Sequence, residues 1–306
     1  MDLSDQKGQF IFDNLPPTLT EKIDGETSFI LKLYSTPDIS ADRIPMLVSL
    51  LYQKGENTTS PASGIPSAAI DDMIASGWIR TDQNGHISLT QDGKEIAVRL
   101  YQDMNSDTMA AFHDLQTEAG QSPDESPGKW EKLLDQKPWR VRVREEKKRR
   151  ESKFVDIVPY APQYQPCFKS LNEEWISTYF RMEENDHKVL DDPEKHILDR
   201  GGQIFVALYK ENPVGVCALI RSDDPDYDFE LGKMAVSPYA QGKSIGWLLG
   251  QAVISAARER GASRIYLESN TRLKPAIQLY KKMGFQKIPD RTSPYRRTNI
   301  HMELLL

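Results

Sequence analysis

Apolar positions along the front of the chain recur at helical spacing. Leu19, Ile23, Ile30, Leu31 and Leu33 predict a helix over Thr18–Tyr34, which Thr36-Pro37-Asp38 breaks. Ile44 to Tyr52 is apolar almost all round, as a buried helix would be, and Gly55 ends it. Ser60-Pro61-Ala62-Ser63-Gly64 is loop punctuation. Pro66 to Gly77 then predicts a short helix with Ile70, Met73 and Ile74 on one face. Trp78–Thr81 and His86–Leu89 flank Asn84-Gly85, a strong hairpin signal. A further helix starts near Gln91, and its stripe Ile96, Leu100, Met104, Phe112 and Leu115 suits core packing. After a polar loop at 121–128, Trp130 to Arg150 predicts a helix interrupted at Pro138.

From Phe154 the pattern changes to strands alternating with helices. Phe154–Val158 is strand-like, and Phe168, Leu171, Trp175 and Tyr179 mark one face of a helix over 168–180. Gln203–Tyr209 and Pro213–Ile220 pair as a hairpin across Lys210-Glu211-Asn212. A strand from Phe229 runs into a loop, Ser237 to Ser244, that opens a long helix over 245–260. Arg264–Glu268 is a strand again, and Pro275–Phe285 a helix. Alternation of this kind predicts an α/β domain.

Charge divides the chain further. Residues 1–128 hold 8 Lys and Arg against 20 Asp and Glu, residues 129–152 hold 10 against 5, and residues 153–306 hold 21 against 20. An acidic front, a basic joint and a near-neutral back predict two domains, 1–150 with a linker helix over about 129–150, and 151–306. The dense cations from Arg140 to Arg150 suit a solvated linker or partners for the acidic front, in preference to a nucleic-acid grip. No apolar run approaches the ~18 residues that span a membrane, and MDLSDQKGQF has no secretory character, so a soluble, cytoplasmic protein without a membrane partner is expected. Cys167 and Cys217 are expected to be structural thiols, and no spacing of Cys or His predicts a metal site.

The order helix, helix, short helix, Gly77-Trp78-Ile79, hairpin, and Ser88-Leu89-Thr90-Gln91-Asp92-Gly93 before another helix resembles the winged-helix domain of MarR-type transcription regulators, over roughly residues 15–115. That resemblance implies a mostly α-helical N-terminal domain and a homodimer formed through it, with the helix near 66–76 in the place of a DNA-recognition helix and 80–88 as the wing. The chemistry there departs from the family. Asp71 and Asp72 on the helix would repel phosphates, and the wing tip Asp82-Gln83-Asn84-Gly85 carries no Arg or Lys. DNA is therefore disfavoured as a partner, and a dimerisation or regulatory scaffold is expected.

In the back half, the glycine-containing loop at a helix start is an anion site by its backbone N–H groups and helix dipole. Its spacing fits neither a Walker loop nor a dinucleotide fingerprint. Met234-Ala235-Val236-Ser237-Pro238-Tyr239-Ala240-Gln241-Gly242-Lys243-Ser244-Ile245-Gly246 and, about 40 residues on, Ala276-Ile277-Gln278-Leu279-Tyr280-Lys281-Lys282-Met283-Gly284-Phe285 are together similar to the GNAT family of acetyl-CoA-dependent N-acetyltransferases. The resemblance covers residues 153–306. It implies the GNAT α/β fold around a central mixed sheet, acetyl-CoA as cosubstrate, no metal, and transfer of acetyl to a primary amine of a small molecule or protein by direct attack on the thioester. Cofactor binding would fall to Met234, Ala235, Val236, Gln241, Gly242, Lys243, Ser244, Ile245, Gly246 and Asn270. Ser244 stands where the family has its first motif glycine, which puts cofactor affinity in question. Glu230 would be the base and Tyr280 the acid, with Glu268 a second candidate base. Candidates for the acceptor pocket are Glu173, Trp175, Tyr179 and the tail 293–299, where Arg297 could hold a carboxylate. The competing expectation is a MarR-type regulator whose GNAT domain senses acyl-CoA or another ligand.

Overall fold

A computed structural model describes residues 15–36, 38–52, 67–289, 291 and 293–306. The predicted helix stop at Gly55, the loop at 60–64, the helix start at Pro66 and the polar segment at the beginning of the chain lie outside the described residues. The chain divides into two compact units, the first ending at Lys147 and the second running from Lys148 to Leu306.

The first unit is built from α1 (Pro17–Asp24), α2 (Thr27–Tyr34), α3 (Ile44–Tyr52), α4 (Ser67–Ala75), β1 (Ile79–Thr81), β2 (Ile87–Leu89), α5 (Gln91–Ala119), α6 (Pro127–Gln136) and α7 (Trp139–Ser152), the last crossing the division. The single helix expected over Thr18–Tyr34 is two. Gly25, a poor helix former, and Glu26 close the first with bonds to Glu21 and Ile23 before the second begins. β1 and β2 pair antiparallel, Ile79 with Leu89. Asp82 closes the tip, its carboxylate accepting from the N–H groups of Asn84 and His86 at 2.8 Å each. Thr90 caps α5 by accepting from the Gly93 N–H at 3.1 Å, and Gly120 ends it at φ 65°.

Leu19, Leu47, Met73, Leu100, Leu115 and Trp130 share one core. Ile96, Met104 and Phe112 pack half-buried against that same core, so core packing takes up part of the α5 stripe. The basic joint is likewise partly spent on the acidic front. Arg140 pairs with Glu26, and the buried Arg142 makes two 2.9 Å bonds to Glu118.

The second unit holds a mixed seven-stranded sheet made of β3 (Val155–Pro159), β4 (Gln203–Tyr209), β5 (Asn212–Arg221), β6 (Phe229–Val236), β7 (Arg264–Ser269), β8 (Gln286–Ile288) and β9 (Ile300–Leu305). Their order is β3-β4-β5-β6-β7-β9-β8, antiparallel except for the β6–β7 pair. The helices are α8 (Gln165–Tyr179), α9 (Glu184–Asp191), α10 (Ile245–Glu259) and α11 (Lys274–Lys282). α9, β8 and β9 go beyond the elements expected from the pattern.

Alternation along the central strands feeds two cores. Ile204, Val206, Val216 and Ala218 join Phe168 and Ile176 of α8 in one, and Phe205, Ala207, Cys217 and Leu219 join Leu249 and Val253 of α10 in the other. Gly215 lets α10 approach the sheet, because a Cβ there would lie 2.9 Å from Ile245 Cγ2. Among the described residues, no helix is long and apolar enough to cross a membrane.

Candidate active site

β6 and β7 are in register only at Phe229–Ile265 and Glu230–Tyr266. Past Glu230 the two strands run on to Val236 and Ser269 without further pairing. A cavity of about 660 Å³ is lined by both strands, together with the start of α10, α11 and the end of α8. A bulge shapes β6 at this point. Val216 faces Ala235 and Ala218 faces Gly232, so Cys217 stands opposite two residues, Lys233 and Met234. Lys233 takes a positive φ of 50° there, and a bulge of this kind leaves ladder groups unpaired.

The loop before α10 follows from its glycine and serine. Gly242 has φ 81° and Ser244 φ 63°, so the helix starts abruptly at Ile245. No side chain caps this fifteen-residue helix. Its first N–H groups and the positive end of its dipole therefore face the cavity, lined here by Gln241, Gly242, Ser244, Ile245 and Gly246. These donors suit the diphosphate of a CoA-type molecule. Ser244 supplies the backbone conformation expected of a glycine, at the cost of strain that glycine would not carry. Lys243 is the one member of the predicted set that does not line the cavity. Its ammonium lies 3.7 Å from Glu151 and over the Tyr209 ring.

Glu230 lines the cavity where the strands part. Burial first, and then the neighbouring Glu268, push its carboxyl from 4.5 up to about 7, partly offset by Lys233 and by the Tyr266 hydroxyl donating at 3.4 Å. A Cβ on Gly232 would meet Glu230 Oε1 at 3.0 Å, so the glycine leaves room for the carboxylate to fold back over the strand. Glu268 also lines the cavity, but it is occupied. Ser293 donates to it at 2.5 Å, Thr298 at 3.3 Å, and His301 Nε2 lies 3.7 Å away.

Tyr280 lines the cavity from α11 and is buried against the Phe285 ring. Burial, with a smaller effect of Cys217, raises its phenol well above the ordinary value, so the hydroxyl keeps its proton throughout the working pH range. Asn270 lines the cavity and organises the loops beside it, donating to the Arg297 carbonyl at 2.5 Å and accepting from the Arg272 N–H at 2.9 Å. Cys217 is buried and Cys167 half-buried, and both are free thiols.

Trp175 and Tyr179 also line the cavity, whereas Glu173 does not and lies 3.8 Å from Lys169. Arg297 reaches the cavity wall but is committed. Its guanidinium grips the fully buried Asp186 at 2.6 and 2.7 Å and Glu183 at 3.1 Å. Lys233 completes this cluster, 3.5 Å from Asp186 and donating to the Tyr295 hydroxyl at 2.6 Å. Burial lowers its ammonium pKa, and Asp186 counters that effect. Asp186 itself is held below the ordinary carboxylate value by Arg297 and Lys233, which overcome its burial.

Tyr295, within the tail named from sequence, lines the cavity, whereas sequence reasoning missed Asp186 and Lys233. A signal existed for both. Lys233 is a lone cation in an apolar strand, and Glu183 with Asp186 three residues on forms a capping box. Among the described residues, no group of His, Cys, Asp and Glu is arranged to hold a metal ion.

Residues 168–285 match the acetyltransferase (GNAT) family. The C-terminal half carries a GNAT acetyltransferase domain. The GNAT family uses acetyl-CoA as its cosubstrate. The chain is 30% identical over 122 residues to N-acetyltransferase 8F1 of Rattus norvegicus, covering 39% of this chain and 52% of that protein. It is 42% identical over 89 residues to the uncharacterized N-acetyltransferase YjgM of Escherichia coli K12, covering 29% and 53%. The match thus spans about half the length of these curated relatives. A GNAT-family acetyltransferase structure from Staphylococcus aureus aligns with 49% of this chain and 97% of its own, at a TM-score of 0.44 and 24% identity.

Proposed function

We propose that the second unit transfers the acetyl group of acetyl-CoA to a primary amine of a small molecule or protein. The observation that carries the reading is the cavity at the β6–β7 parting, lined both by Glu230 and by the uncapped start of α10. When bound, acetyl-CoA supplies a thioester whose carbonyl carbon accepts a neutral amine and whose sulfur departs as thiolate. Gln241 to Gly246 would hold the diphosphate through backbone N–H groups. The bulged segment Met234–Val236 would hold the pantetheine arm and polarise the carbonyl. Glu230, poised near neutrality, would take a proton from the substrate ammonium, directly or through water, so that the neutral amine attacks. Tyr280, which keeps its proton, would donate to the departing sulfur.

The acidic first unit would serve as a winged-helix scaffold and dimerisation module. The exposed Asp71 and Asp72 of α4, with Asp72 pairing with Arg43, support that role over DNA reading. The experiment is calorimetric binding of acetyl-CoA followed by free-CoA release across a panel of amines. Binding with amine-dependent release is expected. Tyr280→Phe is expected to lower turnover about 10²- to 10⁴-fold while leaving acetyl-CoA binding intact, in keeping with loss of one proton donor. Binding without release from any amine would replace the enzyme reading by ligand sensing.

A further inference from the structure

Beside the catalytic cavity lies a second, open groove of about 600 Å³. The two share Tyr179, Phe180, Arg272 and Arg297 as walls. The groove's charge is one-sided. Arg181, Arg272, Arg296 and Arg297 line it against a single carboxylate, Glu183, with the hydroxyls of Ser177 and Thr178 on the same wall. That carboxylate is already taken, since it accepts from the Arg297 guanidinium and the Arg296 N–H at 3.1 Å each. Asp186 neutralises Arg297 further. Arg181, Arg272 and Arg296 are exposed, and none of them has a carboxylate within ion-pairing distance among the described residues.

Three segments distant in sequence bring these arginines together: the residues after α8, the turn after β7, and the turn before β9. Like charges converging in this way repel one another unless an anion sits among them. The place of the groove indicates which anion. Ser293 and Thr298 tie the turn that carries Arg296 to Glu268, whose charge is felt at Glu230. None of the α10 loop residues, Gln241 to Gly246, lines the groove. It therefore meets the cavity at Tyr179, Phe180, Arg272 and Arg297, away from the loop before α10. We infer that the groove binds an anionic group of the acceptor, so that the amines acetylated carry a carboxylate close to the nitrogen, as amino acids and short peptides do. A planar guanidinium fork matches a carboxylate with two parallel hydrogen bonds, which an ammonium cannot do.

The inference rests on the reading of the cavity as the acetyl-transfer site, and its test has two arms that separate the two claims. In the first arm, acetyl transfer to a panel of α-amino acids is compared with transfer to the corresponding amino-acid amides, which differ in charge but barely in shape. In the second arm, binding of the N-acetylated products, acids against amides, is measured by calorimetry in the presence of CoA. The products have no amine to titrate, so this arm compares the carboxylate alone and needs no turnover.

The expected result is a preference for acids of about 10- to 100-fold in kcat/KM and in product affinity, the range of one or two charge-assisted hydrogen bonds. That preference should shrink as salt is raised. It should collapse toward one in the double variant Arg181→Gln/Arg296→Gln. Equal treatment of acids and amides, binding of neither, or a preference that survives the double variant overturns the inference. So does a rise in the KM for acetyl-CoA in place of the collapse, which would assign the arginines to the cosubstrate's phosphates. Failure of every amine in the first arm, where other amines are acetylated, overturns the inference. Failure of all amines removes the transferase reading, while the second arm still decides whether the groove prefers the anion.

Discussion

Ser293, Thr298 and His301 crowd the carboxylate of Glu268, whereas the Tyr266 hydroxyl at 3.4 Å is the hydrogen-bond partner of Glu230 among the described residues. A base needs an accessible lone pair and a pKa near the working pH, and Glu230 has both. With its carboxyl at about 7, kcat/KM is expected to rise through neutral pH to a plateau as Glu230 loses its proton. Glu230→Gln is expected to lower kcat/KM about 10²- to 10⁴-fold and to remove that rise. The acceptor amine titrates in both proteins, so the difference between their pH profiles isolates the glutamate. Stability should move the opposite way. A carboxyl whose pKa is raised by folding holds its proton longer in the native state, so it costs the fold stability as pH climbs from about 4.5 through 7. Urea unfolding should find Glu230→Gln the more stable protein above pH 7 and equal to the parent below pH 4.5. A variant whose pH profile matches the parent's would remove Glu230 from the mechanism.

Ser244 sets the start of α10, and its φ of 63° costs a residue with a Cβ about 1–2 kcal/mol. Ser244→Gly relieves that strain but gives the unfolded chain more freedom, an offset of about 0.4–1 kcal/mol. The net expectation is a gain of up to about 1.6 kcal/mol, read as a higher urea midpoint at unchanged slope, with acetyl-CoA affinity no weaker than before. A loss of either would show that the hydroxyl makes a contact of its own. Elements as regular as α3 and β4 were legible to the residue, because an all-apolar run and a strand bounded by turns need no distant partner. The loop and helix at 241–259 and the helix at 274–282 were legible as local motifs. β9 was not, because it is a strand by virtue of pairing with β7, and the reading treated the residues before it as a tail. Asp186 and Lys233 escaped for the same reason. Arg297 and Asp186 are 111 positions apart, and no local pattern records that they meet. The arginine groove is likewise a product of three separate loops.

Each unit has a core of its own: Leu19, Leu47, Leu115 and Trp130 belong to the first, Phe168, Val206, Leu249 and Leu267 to the second. Every residue lining the catalytic cavity belongs to the second unit. A ligand that binds only the native form of one cooperative unit stabilises that unit by RT ln(1 + [L]/Kd), about 2.7 kcal/mol at a hundredfold excess over Kd. Differential scanning calorimetry of the full chain is therefore expected to show two transitions, of which saturating acetyl-CoA raises one. For a unit of 150–250 residues such stabilisation corresponds to a shift of roughly 5–11 °C. The same trace separates the two readings of the whole chain. An enzyme carried beside a scaffold needs no exchange of free energy between them, so the transition of the first unit should stay where it is. A regulator that senses acyl-CoA must pass part of the binding energy to its first unit, and a ligand without differential affinity for two states can shift neither. Movement of both transitions with acetyl-CoA would therefore overturn the scaffold reading and call for a DNA-binding measurement with and without the ligand.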